Sequence, residues 1–297
     1  MARTIVVDIA TMYYRSFYSL PDTIVSPKGE PINAIRGSLD ALFMFIERYQ
    51  PSNIITCWDY DWRPDWRVEL IDSYKTARTE DDGGSTIPDS LSDQVEILHD
   101  LLIEIGMPVV GIDGFESDDI VSHFARQISE PVDIVSGDKD LFQLIDDSVQ
   151  NRVLYIGTGF SKHTQVDDTY LLDRYGIKGS QYGDFAVLRG DASDGLPGVR
   201  GIGEKTASAL IAEFGTLDEV LKAATQGDSR IKPKVTSSLL EHSDYIERAK
   251  EVVLLNKDLD IAIPKVKPVS ATTIVEELGL QRQLSRWQQL QELFFEV

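Results

Sequence analysis

The chain has 297 residues, of which 42% are hydrophobic and 26% charged, a composition typical of globular proteins with one large or two ordinary domains. Its single cysteine, Cys57, excludes an internal disulfide and is compatible with a reducing compartment. No apolar run approaches the roughly 20 residues that a membrane span requires, and Asp8 interrupts the only apolar run near the N-terminus. We therefore expect a soluble cytoplasmic protein with no secretory signal and no membrane partner.

The formal net charge of −20 is evidence against tight non-specific binding to another polyanion, such as duplex nucleic acid at high salt. Net charge does not describe any single face of a protein, however. Several acids cluster in short motifs, where bound cations would neutralise them. The position of the carboxylates is therefore more informative than their number.

Short β-branched segments alternate with helical patterns over the first half of the chain. Three segments end in an aspartate, at Asp8, Asp59 and Asp138, and further strands are predicted at 107–110 and 152–156. The helical patterns cover 33–49, 88–105 and 117–129. This alternation predicts an α/β fold with a mostly parallel sheet flanked by helices. Ligands bind at the carboxyl ends of parallel strands, so the three aspartates are expected at one edge of the sheet.

After about residue 165 the strand pattern gives way to helical patterns. These cover 167–175, 180–190, 203–213, 216–223, 232–240 and 242–255. We expect an α/β core over 1–165, a helical subdomain over 166–264 and a helical C-terminal tail over 265–297. The polar stretch 76–88 is predicted to be a mobile loop, with an ordinary connection between elements as the alternative.

Acidic residues also mark the starts of two further segments. The sequence ESDD begins a predicted helix, in which Glu116 and Asp119 share one face while Asp118 points sideways. Asp138 and Asp140 precede another apolar segment. Taken alone, each of these acids is commonly a helix cap.

The stretch RGDASDGLPGVRGIGEKT combines an acid pair with a glycine-rich turn. Asp191 and Asp194 lie three residues apart, so on a helix both carboxylates would face the same side. Gly198, Gly201 and Gly203 follow, and the next predicted helix begins at Gly203. The backbone N–H groups of such a turn and helix N-terminus are a ready site for phosphate.

Considered together, the acids indicate a metal site. They converge only if the sheet places them at one edge, where each close pair would repel by about 4 kcal/mol without bound cations. An all-oxygen ligand set favours Mg²⁺ or Mn²⁺, and the four histidines show no zinc spacing. Two such cations activate a water and stabilise a leaving oxygen. The residues therefore indicate metal-assisted hydrolysis of nucleic-acid phosphodiesters.

Six segments between residues 3 and 255 carry a further pattern. They read IVVDIATMYYRSFY, ITCWD, YKTAR, GFESDDIV, VSGDKDLFQL and RGDASDGLPGVRGIGEKTA. In this order they resemble the 5′ nuclease and flap endonuclease family, of the bacterial type found at the N-terminus of DNA polymerase I. The resemblance implies a PIN-like core with an arch segment over about 62–90 and a helix–three-turn–helix element over 181–214 that binds DNA. It also implies a structure-specific 5′-3′ exonuclease and 5′ flap endonuclease with a two-metal mechanism.

The resemblance implies roles for individual residues. The acids that match metal ligands, direct or through water, are Asp8, Asp59, Glu116, Asp118, Asp119, Asp138, Asp140, Asp191 and Asp194. Lys75 and Arg78 match catalytic residues of the arch, with Arg15 as a further candidate; without the resemblance, a solvated helix face is the alternative. The residues that match DNA contacts are Tyr74, Gly198, Gly201, Gly203 and Lys205. The glycine turn of this family can also hold K⁺.

This sequence departs from the family pattern at three places. Asp61 lies beside Asp59, so either is a candidate ligand. Acids and glycines at 80–84 replace the usual prolines, which should weaken the attraction for a threading strand and make binding depend on salt. Gly195 stands beside the acid pair where the family often has Asn.

The expected substrates are DNA with 5′ flaps, nicks or free 5′ ends, together with RNA primers, in replication and repair. Mg²⁺ or Mn²⁺ is the expected cofactor. We expect a monomer associated with the bacterial nucleoid, and a stand-alone nuclease, with a domain cut from a longer protein as the alternative. Two other interpretations remain: a PIN-type ribonuclease of RNA turnover, and a catalytically inactive DNA-binding relative.

Overall fold

A six-stranded sheet organises the first half of the molecule in a computed structural model, which describes residues 2–79, 86–266 and 273–294. The strands are β1 (Thr4–Asp8), β2 (Asn53–Cys57), β3 (Val109–Val110), β4 (Val132–Ser136), β5 (Arg152–Tyr155) and β6 (Thr164–Val166). Their order is β3-β2-β1-β4-β5-β6. The β6 strand is antiparallel to β5, and the other pairs are parallel. The predicted α/β fold with a mostly parallel sheet is confirmed.

The order of the strands reverses at β1. From β1 the chain moves outward through β2 to β3, and then returns to place β4 on the other side of β1. Thr4 of β1 lies opposite Val132 of β4. In parallel sheets the crevice beyond the carboxyl ends of two such strands is where ligands bind. The topology therefore opens a site next to Asp8, the last residue of β1.

The sheet is buried on both faces because successive residues of its strands pack into different apolar clusters. Ile5 and Val7 of β1 belong to one cluster, and Val6 belongs to the other. This is the period-2 arrangement that a doubly covered parallel sheet requires. The helices of this half are α1 (Ile9–Ser19), α2 (Asn33–Tyr49), α3 (Asp65–Leu70), α4 (Asp89–Glu104) and α5 (Ser117–Gln127).

The second half is helical, as predicted. Its helices are α6 (Asp168–Tyr175), α7 (Tyr182–Arg189), α8 (Glu204–Phe214), α9 (Leu217–Thr225), α10 (Pro233–Glu241) and α11 (Ser243–Val253). Local chemistry sets several of these bounds: the Asp167 side chain caps α6 by accepting from the Tyr170 N–H, and Gly176 ends that helix at φ +72°. In the described ranges, no helix is both long and apolar enough to cross a membrane.

The last two helices pack back on the first half of the chain. They are α12 (Thr273–Leu278) and α13 (Gln281–Phe294). Trp287 of α13 is buried, its ring stacks on Phe43 of α2 with centroids 5.7 Å apart, and its indole N–H donates to the Ile105 carbonyl at 2.6 Å. Arg286 adds a two-pronged contact with Glu47, at 2.7 Å for each hydrogen bond. The tail is thus part of the packed core.

The sequence-based prediction missed one strand. Strand β6 was not expected; it is three residues long and has a half-buried, an exposed and a buried residue, so its pattern is too short to detect. Asp191 and Asp194 do not lie on a helix. Gly190, at φ +75°, ends α7, and residues 191–196 form a tight turn closed by reciprocal backbone hydrogen bonds between Asp191 and Leu196.

Candidate active site

A cavity of about 550 Å³ opens at the carboxyl ends of β1, β2 and β4. Its five acids, here called the cavity carboxylates, are Asp8, Asp59, Glu116, Asp118 and Asp138. The first ends β1, the second follows β2 and the last follows β4, so the structure brings the three predicted strand-end aspartates together. The other walls include Tyr13, Tyr14 and Tyr18 of α1 and the basic residues Lys75 and Arg78.

Ser117 connects the start of α5 to two of the cavity carboxylates. Its hydroxyl donates to Asp8 Oδ1 at 3.1 Å, and its backbone N–H donates to Asp59 Oδ1 at 2.7 Å. Asp61 instead accepts from the backbone N–H of Arg63 at 3.2 Å and does not line the cavity. Of the two candidates that the sequence left open, the structure therefore places Asp59 in the site.

Three more acids form a second group on the adjoining loops. These loop carboxylates are Asp140, Asp191 and Asp194. Burial raises the pKa of Asp140 well above its ordinary value, and the neighbouring charges of Asp138, Asp194 and Asp191 raise it further. Asp138 also raises the pKa of Asp118, so its charge acts on members of both groups. Eight of the nine predicted ligands thus form one continuous acidic region.

Asp8 and Asp118 carry charge that the protein does not compensate with a basic partner among the described ion pairs. Burial is the largest cause that raises the pKa of Asp8 to about 7, and the charge of Asp59 adds to it, although a hydrogen bond from Ser136 opposes the shift. Burial and the charges of Asp138 and Asp8 raise the pKa of Asp118 well above its usual range. Asp8 and Asp118 are therefore held where ionisation is unfavourable unless a cation binds nearby.

Glu116 and Asp119 are held differently, by buried basic residues. Arg67 donates from Nη1 to Glu116 Oε1 at 2.7 Å and from Nη2 to Asp119 Oδ1 at 2.9 Å. Lys75 Nζ donates to Glu116 Oε2, and Tyr74 Oη donates to Glu116 Oε1 at 2.7 Å. Burial raises the pKa of Glu116, but the charges of Lys75 and Arg67 outweigh that effect and lower it overall.

Three predicted site residues lie neither in the cavity lining, nor among the loop carboxylates, nor in the glycine turn. Asp119 is buried, pairs with Arg67 and accepts from the Glu116 backbone N–H at 3.2 Å, so it caps α5 rather than lining the site. Tyr74 is 5% exposed and packs in the core, so it presents almost no surface to DNA. Arg15 does not line the cavity and donates to the Gly157 carbonyl at 2.6 Å.

A basic segment of the arch, residues 73–78, lies against the acid pair. We call residues 73–78 the arch base and residues 190–196 the acid loop. Arg78 forms an ion pair with the Asp194 carboxylate, and its side chain is 47% exposed. Lys75 is buried, and it reaches both Glu116 and, at 3.3 Å, the Trp62 carbonyl. The acids and glycines at 80–84 lie outside the described residues.

The glycine turn joins α7 to α8, and Gly201 and Gly203 in it are exposed. The predicted DNA contact at Gly198 is wrong, because Gly198 is buried and its backbone N–H donates to Tyr245 Oη at 2.9 Å. Gly198 and Gly201 have φ of +67° and +82°, a region that favours glycine. At Gly201 and Gly203 a Cβ would meet no heavy atom within 4 Å, so these backbones border open space. Lys205 is exposed in the first turn of α8, whose first N–H groups have no acceptor within the helix. The turn therefore presents donors and positive charge outward.

Sequence reasoning missed two basic residues next to the acids. Arg67 is 2% exposed and satisfies both Glu116 and Asp119. Arg189, at the end of α7, lies with its Nη2 3.7 Å from Asp191 Oδ2 and donates from Nε to the Gly190 carbonyl at 3.0 Å. Trp66, which immediately precedes Arg67, was the available signal, because an arginine guanidinium stacks on aromatic faces; here it lies 4.7 Å from the centre of the Trp66 ring.

Among the described residues, no group of three or more His, Cys, Asp or Glu side chains is arranged so that it could hold a metal ion. The chemistry of the donor set nevertheless fits hard divalent cations, because it consists of carboxylate oxygens. The raised pKa values of Asp8, Asp118 and Asp140 show uncompensated charge at the same place. The acidic region is therefore suited to cations that would draw these carboxylates together.

Two family models cover most of the chain. The N-terminal resolvase-like domain of 5′-3′ exonucleases matches residues 3–176, and the C-terminal SAM fold of 5′-3′ exonucleases matches residues 177–276. The chain therefore belongs to the 5′-3′ exonuclease family, and the predicted class of enzyme, a nuclease, is confirmed.

Relatives and solved structures agree with this assignment. A 5′-3′ exonuclease of Streptomyces coelicolor is 41% identical over 259 residues, which cover 86% of this chain and 86% of the relative. A 5′-3′ exonuclease of Mycobacterium tuberculosis is 40% identical over 271 residues, covering 87% and 85%. The bacteriophage T5 flap endonuclease, in a complex with DNA and metal ions, shares the fold with a TM-score of 0.65 at 17% identity, covering 98% of this chain and 99% of that one.

Proposed function

We propose that this chain hydrolyses DNA phosphodiesters near 5′ ends, at flaps, nicks and free 5′ termini, including RNA-primed ends, with divalent cations bound by the acidic region. This proposal rests on the lining of the cavity, in which basic side chains and carboxylates lie together. Lys75 and Arg78 line the same cavity as five carboxylates, so a phosphodiester there would meet both basic groups and the acids that attract cations. The T5 relative supports the substrate class, since its structure contains DNA and metal ions.

Different residues of the chain would contact successive parts of the DNA. Duplex DNA would contact the glycine turn through the backbone N–H groups at the start of α8 and through Lys205. The strand with the 5′ end would then pass the arch base, where Lys75 and Arg78 release Glu116 and Asp194 to contact the phosphate. Tyr18, 69% exposed at the cavity, is placed to stack on an unpaired base.

The cations would be held by the cavity carboxylates and the loop carboxylates. When bound, Mg²⁺ or Mn²⁺ supplies an activated water and stabilises the charge of the leaving oxygen. Asp138 is the central ligand candidate, because its charge acts on members of both groups. We also propose that K⁺ binds at the glycine turn, where Gly201 and Gly203 leave the backbone unobstructed; replacement of K⁺ by Na⁺ should then weaken DNA binding.

The test is cleavage of a 5′-labelled flap duplex in Mg²⁺, in Mn²⁺ and in EDTA. We expect cutting near the flap junction with either metal and none with EDTA. Asp138→Asn should lower the rate about 100-fold, since the metal contributes several kcal/mol of transition-state stabilisation. The matched control is Asp173→Asn, which changes an exposed aspartate on α6. Equal rates for the two variants would contradict the assigned site.

A single-stranded RNA substrate belongs in the same experiment. Degradation of this RNA with no cutting of the flap would favour a ribonuclease of RNA turnover instead. Binding of the flap without metal-dependent cutting would indicate an inactive DNA-binding relative. We further propose a monomer in the bacterial cytoplasm, associated with the nucleoid, and a division into a catalytic core over 1–165, a helical subdomain over 166–264 and a tail over 265–297.

A further inference from the structure

Two hydrogen bonds to backbone carbonyls hold the arch base to the acid loop, in addition to the Arg78–Asp194 ion pair. The Ser73 hydroxyl donates to the Gly195 carbonyl at 2.6 Å. Two residues later, the backbone N–H of Lys75 donates to the Asp194 carbonyl at 3.0 Å. These two hydrogen bonds join segments more than a hundred residues apart in sequence. They hold the backbone of Lys75 close to the loop that contains Asp194.

Gly195 is the residue that permits this close approach. A Cβ at this position would lie 1.8 Å from the Ser73 carbonyl oxygen and 2.7 Å from its carbon, both of which belong to the backbone. Its φ of +70° adds a second restriction, but asparagine tolerates that conformation better than most residues. In this chain the contact with Ser73, more than the backbone angle, therefore leaves no room for the Cβ of the asparagine that the resembled family often has at this position.

The same contact determines where the two arch cations point. Lys75 adopts a left-handed backbone with φ of +51°, unusual for a residue with a side chain. From this position its Nζ reaches Glu116, while Arg78, one short helical turn further, reaches Asp194. A displaced arch base would carry both cations away from the cavity. Such shifts of about 1 Å commonly cost a reaction about 100-fold in rate.

We propose that Gly195 is a positioning residue, which holds the arch base close to the acid loop and thereby keeps Lys75 and Arg78 in place for the reacting phosphate. This inference rests on the proposed function. It predicts that Gly195 affects the rate of cleavage, although the atoms of Gly195 do not line the cavity.

The test compares Gly195→Asn with Gly227→Asn. Gly227 has nearly the same backbone angle, φ +68°, but a Cβ there would meet no heavy atom within 4 Å. The control therefore introduces the same residue into the same conformation without the collision. Ser73→Ala is a milder variant that removes only the hydroxyl donor and imposes no new contact, so it remains informative if Gly195→Asn does not fold.

The first readout is independent of catalysis. In protein labelled with [¹⁵N]lysine, the Lys75 amide should exchange its hydrogen about tenfold faster in Gly195→Asn than in Gly227→Asn, because its hydrogen bond to Asp194 is lost. Ser73→Ala should change the exchange in the same direction by a smaller factor. Unchanged exchange in both variants would show that the contact does not hold the arch base.

The second readout separates binding from the chemical step. The single-turnover rate of flap cleavage at saturating DNA should fall about 100-fold in Gly195→Asn, with a change of less than about threefold in the Kd for DNA. Gly227→Asn should match the wild type in both. Faster exchange without a lower rate would overturn the positioning role. A wild-type protein that cuts no substrate would instead contradict the proposed function, and the exchange result would still stand.

Discussion

The guanidinium of Arg67 and the carboxylate of Glu116 form a buried ion pair, with Nη1 and Oε1 2.7 Å apart and both side chains less than 5% exposed. The second terminal nitrogen of Arg67 contacts Asp119 at 2.9 Å. One residue of α3 therefore pairs with two acids at the start of α5. Without Arg67, Glu116 would keep Lys75 as its cationic partner, but Asp119 would lose the ion pair that it forms with Arg67.

Arg67→Met should lower the free energy of unfolding by about 3–5 kcal/mol, because it leaves buried carboxylates without their partner. Arg67→Lys should recover only part of this loss, since one ammonium cannot reproduce the two-pronged geometry. Urea unfolding in EDTA measures both. The control is Arg230→Met, which removes an ion pair that is 54% exposed on its arginine side and should change little. A midpoint for Arg67→Met equal to that of the control would contradict the assignment.

The metal-free protein should become less stable as the pH rises from about 4 to 7. Burial, with the charge of Asp59, raises the pKa of Asp8 from 3.8 to about 7. Between these values the folded protein keeps a proton on Asp8 that the unfolded chain has lost, so the free energy of unfolding falls with increasing pH. Thermal unfolding in EDTA at several pH values measures this, and Asp8→Asn should show a smaller decrease. Identical slopes for the two proteins would refute this role of Asp8.

Trp287→Ala should destabilise the protein by about 3–5 kcal/mol, because it removes a buried aromatic side chain that stacks on Phe43. Trp287→Phe keeps a ring there but loses the donor to the Ile105 carbonyl, at a cost of about 1–3 kcal/mol. Calorimetry measures both, with Arg282→Ala on the exposed side of the same helix as the control. Cleavage rates measured well below the unfolding temperature should stay close to the wild type.

Lys205→Ala should weaken binding to flap DNA about equally for all sequences, because a lysine beside the start of α8 contacts phosphate rather than bases. The slope of log Kd against log salt concentration should fall by about 1. Fluorescence anisotropy in Ca²⁺ over a range of salt concentrations measures this. The control, Lys222→Ala, changes a lysine that pairs with Glu219 in α9. An unchanged slope for Lys205→Ala would show that Lys205 does not contact a phosphate of the DNA.

Local patterns were sufficient to predict most of the fold. The predicted helix over 33–49 matches α2 at both ends, and the three strands that end near Asp8, Asp59 and Asp138 are present. These features depend on residues close in sequence: a buried β-branched run, a following acid and an apolar helical face. Convergence of the three acids then followed from the general rule for the ends of parallel strands.

The details that sequence reasoning did not reach depend on distant contacts. Arg67 is identified as a partner of Glu116 only when α3 packs against α5, because the two residues are 49 positions apart. Tyr74 appears in a basic motif, yet it is buried by contacts across the core. Asp191 and Asp194 have a spacing that would also fit a helix, and they lie in the turn after Gly190, beyond the predicted helix over 180–190. Spacing alone does not distinguish a helix from the turn that follows it.

The position of Trp287 has a consequence for how the chain folds during its synthesis. Phe43 and Ile105 belong to the first half of the chain, but the indole that covers them lies more than 180 residues beyond Ile105. While the ribosome makes the intervening helices, this apolar surface of α2 and of the end of α4 stays open to solvent and to other chains. The N-terminal half therefore cannot finish packing as it emerges. Its last layer closes only when α13 has left the ribosome.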